Sequence, residues 1–335
     1  MSGSRKTTAP EMAPHRRAAR RRTLGLLFAS VAGAMSSAHG QSAAPSAGTV
    51  LRIGYQKYGT LTLLKGRATL EKRLASRGIE VRWTQFPAGP ALLEALNVGS
   101  IDLGSVGEAP PIFALAAGAN FVYVANEPPS PASEAIVVGP HSILRTVAEL
   151  KGKKVALNRG SNVHFLLLKA LEKAGVAYAD ITPVFLAPAD ARAAFERGSF
   201  DAWAIWDPFL AAAEKQLGAR ILVDGRGLVS NREFYLAARS YAEKNRDIVR
   251  VVVDELTATD TWGRAHPEDV AAILTAQTGL DSGVVTLAAH RFAFGTTAIT
   301  ADVLREQQAV ADAFAALKLI PKPIAVREAQ LPFAL

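Results

Sequence analysis

Short apolar runs alternate with amphipathic stretches through the first half of the chain, and this alternation predicts strands followed by helices. Four segments have the composition and length of strands: 50–55, 80–86, 102–105 and 121–125. The stretches between them have apolar residues at helical spacing, near 61–76, 90–98 and 110–117. Strands that alternate with helices across short turns indicate a mostly parallel sheet with helices on both faces.

A second set of strands and helices follows the first. The predicted strands are 134–138, 154–157, 181–186, 202–206, 221–223 and 234–238, with helical segments at 147–150, 163–174 and 188–197. From Asn245 onward the pattern is helical almost throughout. We therefore expect an α/β protein of two lobes, with the chain crossing between them near 130–137 and 232–238. The expected boundaries are 50–134 for the first lobe, 135–235 for the second, and 236–335 for the return to the first lobe and the C-terminal helices. Clefts between lobes are usual sites for small ligands.

The segment 201–208, with the sequence DAWAIWDP, predicts a buried strand that stops where a helix starts. Asp207 is a suitable helix cap, and Pro208 suits the first helical turn. Trp206 and Asp207 then lie at the carboxyl end of a strand, where open α/β sheets bind ligands. The alternative is that both tryptophans are core residues and Asp207 only caps the helix. Because side chains alternate between the two faces of a strand, Trp203 is expected on the opposite face of the sheet from Trp206.

The N-terminus has the pattern of a secretory signal peptide. Basic residues precede an apolar run of 12 residues, 24–35, and small residues follow up to Gly40. That run is too short for a hydrocarbon core of about 30 Å. We predict a cleaved signal over residues 1–40 and a flexible spacer over 41–49. The cleavage site stays open between about 40 and 44, and Sec and Tat export both remain possible because Arg21-Arg22 resembles a twin-arginine signal. No cysteine follows the run, which favours the soluble periplasm over a lipoprotein anchor.

The basic charge of the chain belongs largely to this leader. It holds seven of the 38 basic residues and one of the 30 acidic ones, so the remainder has a net charge of +2 instead of +8. Nucleic-acid binding thereby loses its main support. The chain has no cysteine, which excludes disulfides, thiol nucleophiles and thiolate metal sites. An exported chain of this kind depends on a large apolar core.

Several motifs together resemble one known family. They are LRIGYQK at 51–57, FPAGP at 86–90, LEALNVGSIDLG at 93–104, PADARAAF at 188–195 and DAWAIWDP at 201–208. In this order and spacing they resemble the periplasmic aliphatic sulfonate-binding proteins of ABC importers, over residues 50 to about 330. The resemblance implies a type II periplasmic binding fold, capture of alkanesulfonates as a sulfur source, and delivery to permease subunits in the inner membrane. Related families bind taurine, nitrate or pyrimidine precursors. A monomer without cofactor is expected.

The family pattern is altered at two positions where the ligand should lie. Glu108 stands where a shorter acidic residue is more usual, and Asn162 where a second serine is common. A different preference for chain length or head group is a possible consequence. The sulfonate class is therefore a safer expectation than any single compound.

A sulfonate is an anion with three acceptor oxygens, so its site needs hydrogen-bond donors. The first N–H groups of a helix are unpaired and lie at the positive end of its dipole. Candidate helix starts are 105–110, 160–163 and 207–208, of which the first two are expected to surround the anion. Ser105 and Ser161 add hydroxyls and Asn162 an amide, while Gly107 and Gly160 permit close backbone approach. Ordinary helix capping is the alternative for both serines.

Further candidates surround this predicted anion site. Gln56 follows the first strand and is expected to reach the cleft, and Trp206 is expected to contact the alkyl part of the ligand. Asp207 would repel a sulfonate unless capping holds it away, but it suits an amine or hydroxyl at the far end. Arg291 is a further candidate for the cleft, as a guanidinium donor to the anion, although its role stays open, as do those of Lys57 and His164.

An enzyme is the less favoured alternative. The sequence has no HExxH, no G-x-S-x-G elbow and no phosphate-binding loop. A fold-related enzyme of the pyrimidine-synthase kind would need a reactive histidine or a cysteine-rich element. The missing cysteines and the export signal favour a binding protein instead.

Overall fold

The computed structural model describes residues 49–331, so the predicted signal over 1–40 lies outside the described residues. Eleven strands are present in this part of the chain: β1 Thr49–Tyr55, β2 Ile79–Gln85, β3 Leu103–Gly107, β4 Phe121–Asn126, β5 Glu134–Val138, β6 Lys154–Leu157, β7 Thr182–Phe185, β8 Ala202–Trp206, β9 Arg220–Asp224, β10 Glu233–Ala238 and β11 Thr297–Ala298. They form two separate sheets.

Twelve α-helices connect and cover these strands within the described residues. They are α1 Thr60–Arg67, α2 Thr69–Ala75, α3 Gly89–Asn97, α4 Pro110–Ala116, α5 Asn162–Lys173, α6 Pro188–Glu196, α7 Phe209–Leu217, α8 Arg239–Lys244, α9 Arg246–Ala265, α10 Pro267–Thr278, α11 Ser282–Arg291 and α12 Ala301–Ala316. No single helix of residues 49–331 has the length and hydropathy needed to cross a membrane. Helices α10 and α11 meet the length and hydropathy criteria only when they are taken together, and the angle between them is 119°.

The first sheet has the order β11-β4-β10-β3-β1-β2. Strand β1 pairs in parallel with β2 and β3, whereas β10 lies between β3 and β4 and is antiparallel to both. Strands β1 to β4 therefore point the same way and one returning strand is inserted among them. The assignment of 234–238 to the second α/β set is wrong, because strand pairing over more than 100 residues leaves no local signal.

The second sheet has the order β7-β6-β8-β5-β9. Strands β6, β7 and β8 are parallel, and β5 is antiparallel to its neighbours β8 and β9. Each sheet thus contains mostly parallel strands, with two antiparallel strands, β10 and β11, in the first sheet and one, β5, in the second. The expected two-lobed α/β fold, with helices flanking both sheets, is confirmed.

Alternating side chains build an apolar core on each face of both sheets. In β10, Phe234 and Leu236 belong to one core of the first lobe, and Tyr235 belongs to the core on the opposite face. In β8, Trp203 is 1% exposed and packs in one core of the second lobe. This packing is consistent with the prediction that Trp203 is a core residue and that its side chain lies on the opposite face of the sheet from Trp206. These cores fix the strand ends that carry the site.

The chain crosses between the sheets twice, and the two crossings lie side by side. The first joins β4 to β5 over 127–133 and the second joins β9 to β10 over 225–232. The amide of Ser130 donates to Ser230 O at 3.0 Å, and Asn231 Nδ2 donates to Ser130 O at 2.9 Å. Both crossings begin a few residues before the predicted positions near 130–137 and 232–238. The lobe boundaries themselves remain a prediction.

The C-terminal helices contact both lobes. Helices α9 and α10 pack against α1 of the first lobe, while α11 packs on α7 of the second through Ala211, Ala212, Val284 and Ala288. Helix α11 ends at Arg291, beside the start of α7. The segment after α11 therefore returns to the region where the two lobes meet.

Candidate functional site

A cavity of about 560 Å³, measured with its open mouth, lies between the sheets at the carboxyl ends of several strands. Its walls come from both lobes and from both crossings. The lining residues are Gln56, Tyr58, Gly89, Gly107, Pro110, Ser130, Ser133, Ser161, Asn162, Trp206, Asp207, Asn231, Glu233 and Phe292. Strand ends that meet in a cleft are the usual ligand position in open α/β sheets.

Six of the ten predicted site residues line this cavity. They are Gln56, Gly107, Ser161, Asn162, Trp206 and Asp207. They follow β1, β3, β6 and β8, whose carboxyl ends converge at the same edge. Their shared position supports the sequence reasoning about strand ends, while their roles toward a ligand stay a prediction.

The other four predicted residues do not line the cavity. Ser105 and Glu108 are each 3% exposed and lie in the wall behind it, where the Ser105 carbonyl accepts a weak bond from Gln56. Gly160 packs against Phe113 and donates to His164 Nδ1. Arg291 is engaged by carboxylates of the second lobe. These four residues lie outside the cavity lining, and their contact with a ligand stays a prediction.

Two open candidates are also placed outside the cavity. Lys57 is exposed at the loop after β1. His164 is fully buried, with Nε2 3.0 Å from the Tyr178 hydroxyl, and burial, with a smaller effect of Arg159, lowers its pKa to about 4. A neutral imidazole held between a backbone N–H and a phenol is a structural histidine.

Sequence reasoning missed eight lining residues: Tyr58, Gly89, Pro110, Ser130, Ser133, Asn231, Glu233 and Phe292. Tyr58 lies one residue beyond the loop motif that indicated Gln56 and Lys57, so that motif was the available signal. Ser130, Ser133, Asn231 and Glu233 belong to or adjoin the crossings, which have no helical or strand periodicity. Phe292 is far from every motif in the chain.

Helix starts around the cavity differ in what they can donate. Helix α5 begins at Asn162 after Ser161, so the N–H groups of its first turn have no partner inside the helix. Helix α4 begins with two prolines, Pro110 and Pro111, which have no N–H, and its preceding amide on Ala109 is 3.3 Å from Asn162 Oδ1. The 105–110 segment therefore offers fewer helix amides than expected, and its contact with an anion stays a prediction. The start of α5 is the stronger anion position.

Polar side chains add further donors near the start of α5. The Asn162 amide bridges the lobes by donating to Asn231 and accepting from Ala109 N. Ser161 donates its hydroxyl to Asn158 O at 2.7 Å, and Ser133 donates to Ser130 O at 2.8 Å. None of the lining residues within 49–331 is lysine or arginine. An anion here would be held by amides, and by the Ser161 hydroxyl only if its single proton turns from Asn158 O to the anion.

Asp207 links the cavity to helices α7 and α11. Its Oδ1 accepts from Ala211 N at 2.9 Å, as the predicted capping role requires, although α7 starts at Phe209 and Pro208 precedes the first turn. Arg291 Nη1 lies 3.5 Å from the same oxygen, and its Nη2 donates to Glu214 at 2.6 Å. Burial raises the pKa of Asp207 to about 7, although Arg291 acts in the opposite direction.

Other carboxyl groups around the crossings are also buried. Burial raises the pKa of Glu233 to about 7, with the Ser105 hydroxyl acting against the shift. The pKa of Glu108 is also raised to about 7, mainly by burial. Neither Oε atom of Glu134 has a hydrogen-bond partner, and burial raises its pKa well above the usual range. Near neutral pH these groups are partly protonated, which reduces repulsion of an anion.

Aromatic side chains form an apolar part of the cavity lining, the aromatic wall. Tyr58 and Phe292 meet edge to face with ring centroids 5.4 Å apart, and the Tyr58 hydroxyl donates to Ala288 O at 2.6 Å. Trp206 is partly exposed at the end of β8 and also lines the cavity. The cavity lining thus combines donor groups with aromatic rings, the combination expected for an anion with an alkyl tail.

Comparison with known proteins assigns the family. Residues 74–270 match the NMT1/THI5-like family model. The periplasmic aliphatic sulphonate-binding protein SsuA from Escherichia coli is 48% identical, with a TM-score of 0.76 over 84% of this chain and 97% of that one. The chain belongs to the aliphatic sulfonate-binding protein family. Another member, the alkanesulfonate-binding protein SsuA from Xanthomonas axonopodis pv. citri bound to MOPS, is 44% identical, with a TM-score of 0.82 and coverage of 84% and 98%.

The fold of this family also occurs in an enzyme. The desulfurization enzyme DSZB has a TM-score of 0.62 and 16% identity, covering 85% of this chain and 96% of its own. At this identity the likeness concerns the fold alone. The architecture alone therefore does not distinguish binding from catalysis.

Proposed function

We propose that this protein captures aliphatic sulfonates in the periplasm and delivers them to the permease subunits of an ABC importer. The single observation that carries the proposal is a cavity lined both by donors, from the start of α5 and from polar side chains, and by three aromatic rings. The donors suit an anion in a lining without lysine or arginine, and the rings suit an alkyl tail. The membership of the chain in the sulfonate-binding family supports the same ligand class.

The donor groups fit a sulfonate better than a carboxylate or phosphate that exchanges protons. The start of α5 supplies N–H groups, and the side chains of Gln56, Ser130 and Ser161 lie around the same cavity. Hydrogen bonds to a charged group contribute about 1.5–3 kcal/mol each. The aromatic wall then adds about 0.8 kcal/mol per buried methylene without requiring a fixed length.

The proposal includes export and a non-catalytic role. The basic and apolar pattern of residues 1–40 supports cleavage and release into the periplasm. No group of three or more His, Asp or Glu side chains in residues 49–331 is arranged to hold a metal ion. The cavity histidine that an enzyme would need is not among the lining residues. The protein acts as a carrier and needs no cofactor in this proposal.

A ligand panel tests the proposal. Pentanesulfonate should stabilise the protein by about 2.7 kcal/mol at a hundredfold excess over its Kd, because a ligand that binds only the folded state shifts the unfolding equilibrium. Sulfate and nitrate should stabilise it far less, since they leave the aromatic wall empty. Taurine and a thiamine pyrimidine precursor complete the panel. An equal rise in melting temperature with sulfate or nitrate would contradict the proposal.

A further inference from the structure

A second polar cluster lies outside the cavity, in the interior of the first lobe. Its two carboxylic residues, Glu127 and Asp260, are 0% and 1% exposed. Glu127 follows β4 at the start of the first crossing, and Asp260 lies in the middle of α9. Three hydroxyl groups surround them, from Thr60, Tyr235 and Thr296. Because an unpaired buried charge is costly, the protonation state and the hydrogen bonds of these two carboxyl groups have to be explained.

The contacts of Asp260 are short and complete. Thr60 Oγ1 lies 2.6 Å from Oδ1, while the Thr296 amide and hydroxyl lie 2.6 and 2.5 Å from Oδ2. All three groups are donors, so Asp260 accepts as an ionised carboxylate does.

Glu127 has more oxygen contacts than the available protons can serve. Its Oε1 contacts Thr60 Oγ1 at 3.2 Å, Thr296 Oγ1 at 3.0 Å and the Tyr235 hydroxyl. Together with the two contacts to Asp260, five oxygen-to-oxygen contacts share three hydroxyl protons. Each threonine hydroxyl has one proton, which it donates in the short contact to Asp260. The two longer contacts, from Thr60 and Thr296 to Glu127, therefore have no proton. A proton on Glu127 Oε1 completes a bond to one threonine and leaves a single negative charge in the cluster.

The cluster holds the two segments that carry the aromatic wall. Thr60 begins α1 two residues after Tyr58. Gly295 N donates to Glu127 Oε2 at 2.9 Å, and Thr296 N donates to Asp260, which fixes the segment that follows Phe292. Tyr58 and Phe292 are far apart in sequence, yet the same pair of carboxyl groups anchors the segments of both.

We propose that Glu127, as a neutral carboxylic acid paired with ionised Asp260, is a positioning residue that sets the Tyr58–Phe292 wall and thereby the preference for alkyl chain length. This rests on the proposed sulfonate function. Burial, followed by the nearby Asp260 charge, raises the pKa of Glu127 to about 8. The other charged groups near it are Arg232, which donates to the Glu127 carbonyl, and Arg264, which donates to Phe294 O. Tyr235 itself keeps its proton because burial raises its pKa well above its usual value.

Titration with ligands of two lengths tests the positioning role. From about pH 6 to about pH 9.5, a second charge forms in the cluster, so pentanesulfonate affinity should fall about fivefold more than methanesulfonate affinity. Glu127→Gln, which keeps the group neutral, should remove this extra loss. Asp260→Asn should weaken pentanesulfonate about tenfold at every pH, since an amide opposes the donors around it. Asp254→Asn, on the exposed part of α9, is the matched control and should change neither ligand.

A measurement without ligand separates this inference from the proposed function. A carboxyl with a raised folded pKa stabilises the protein below its unfolded pKa of 4.5, and that stability is lost as pH rises toward about 8. The slope of melting temperature against pH in this range should therefore be smaller in Glu127→Gln than in the wild type. Equal slopes, or equal losses for both ligands in wild type and Glu127→Gln, would overturn the inference even if sulfonates bind. Failure of every sulfonate to bind, with the slopes different, would refute the proposed function and the chain-length preference, and would leave only the protonation of Glu127 supported.

Discussion

The side chain of Asn162 fills the space directly beside Gly107, so that a Cβ atom on residue 107 would lie 2.0 Å from Asn162 Nδ2. Gly107 ends β3 in the first lobe and Asn162 begins α5 in the second. The two lobes therefore touch across the cavity at this point, and Asn162 also bonds Asn231 of the second crossing. Close approach of the lobes depends on the missing side chain at residue 107.

Gly107→Ala should hinder this approach and weaken ligand binding. We expect pentanesulfonate affinity to fall at least about tenfold, because the added methyl group must displace Asn162 or hold the lobes apart. The melting temperature without ligand should change little, since opening relieves the clash. Calorimetric titration and thermal unfolding measure both effects. Gly139→Ala is the control, because a Cβ there meets no atom within 4 Å. Unchanged affinity in Gly107→Ala would mean that the lobes need not meet at this contact.

Ser161→Ala and Ser105→Ala should differ, because Ser161 follows β6 whereas Ser105 lies inside β3. Both serines are 3% exposed, but only Ser161 lines the cavity. Loss of a hydrogen bond to the charged sulfonate should cost about 1.5–3 kcal/mol of binding free energy in Ser161→Ala. Ser105→Ala should mainly lower stability and leave affinity intact. Calorimetry with methanesulfonate decides between them; equal losses of affinity in both variants would contradict this assignment of the two serines.

Local patterns predicted the elements of the fold well, because strand alternation and helix caps are encoded by neighbouring residues. The two faces of β8 are an example: Trp203 is core and Trp206 lines the cavity. The sheet to which β10 belongs was not predictable in this way. Its pairing with β3 and β4 joins segments more than 100 residues apart, and no local composition distinguishes it from a strand of the second lobe.

The candidate site was predictable where a strand ends and less so elsewhere. Gln56 and Asp207 were found because each follows an alternating strand. Phe292 was missed because it reaches Tyr58 only after α11 packs on α7. Arg291 was expected near the ligand, but Asp207 and Glu214 engage it instead, and only the packing of α11 brings these three groups together.

Sulfonate affinity should decrease as pH rises through about 7. Asp207 and Glu233 line the cavity, and burial raises the pKa of each to about 7. Below that pH both are largely neutral; above it both are charged and repel the bound anion, which itself does not titrate. We expect affinity for propanesulfonate to fall about tenfold between about pH 6 and about pH 8.5. Calorimetric titration across this range measures it.

Asp207→Asn should flatten this pH dependence, because the amide stays neutral and can still accept from Ala211 N. Asp190→Asn, at an exposed position in α6, serves as the control and should leave the wild-type profile unchanged. Affinity that is constant, or that rises with pH, would show that neither carboxyl group lies near the bound sulfonate.

Trp206→Ala should weaken long ligands more than short ones. The indole lies at the end of β8 and lines the cavity, so under the proposed function we expect it to contact the tail of a sulfonate whose head group is held at the start of α5. Each methylene that loses this wall should cost up to about 0.8 kcal/mol of binding free energy. Titration with methane-, propane- and pentanesulfonate should give a loss that grows with chain length. A loss of equal size for all three would make Trp206 a structural residue, and Phe292→Ala would then be the variant expected to show the graded effect.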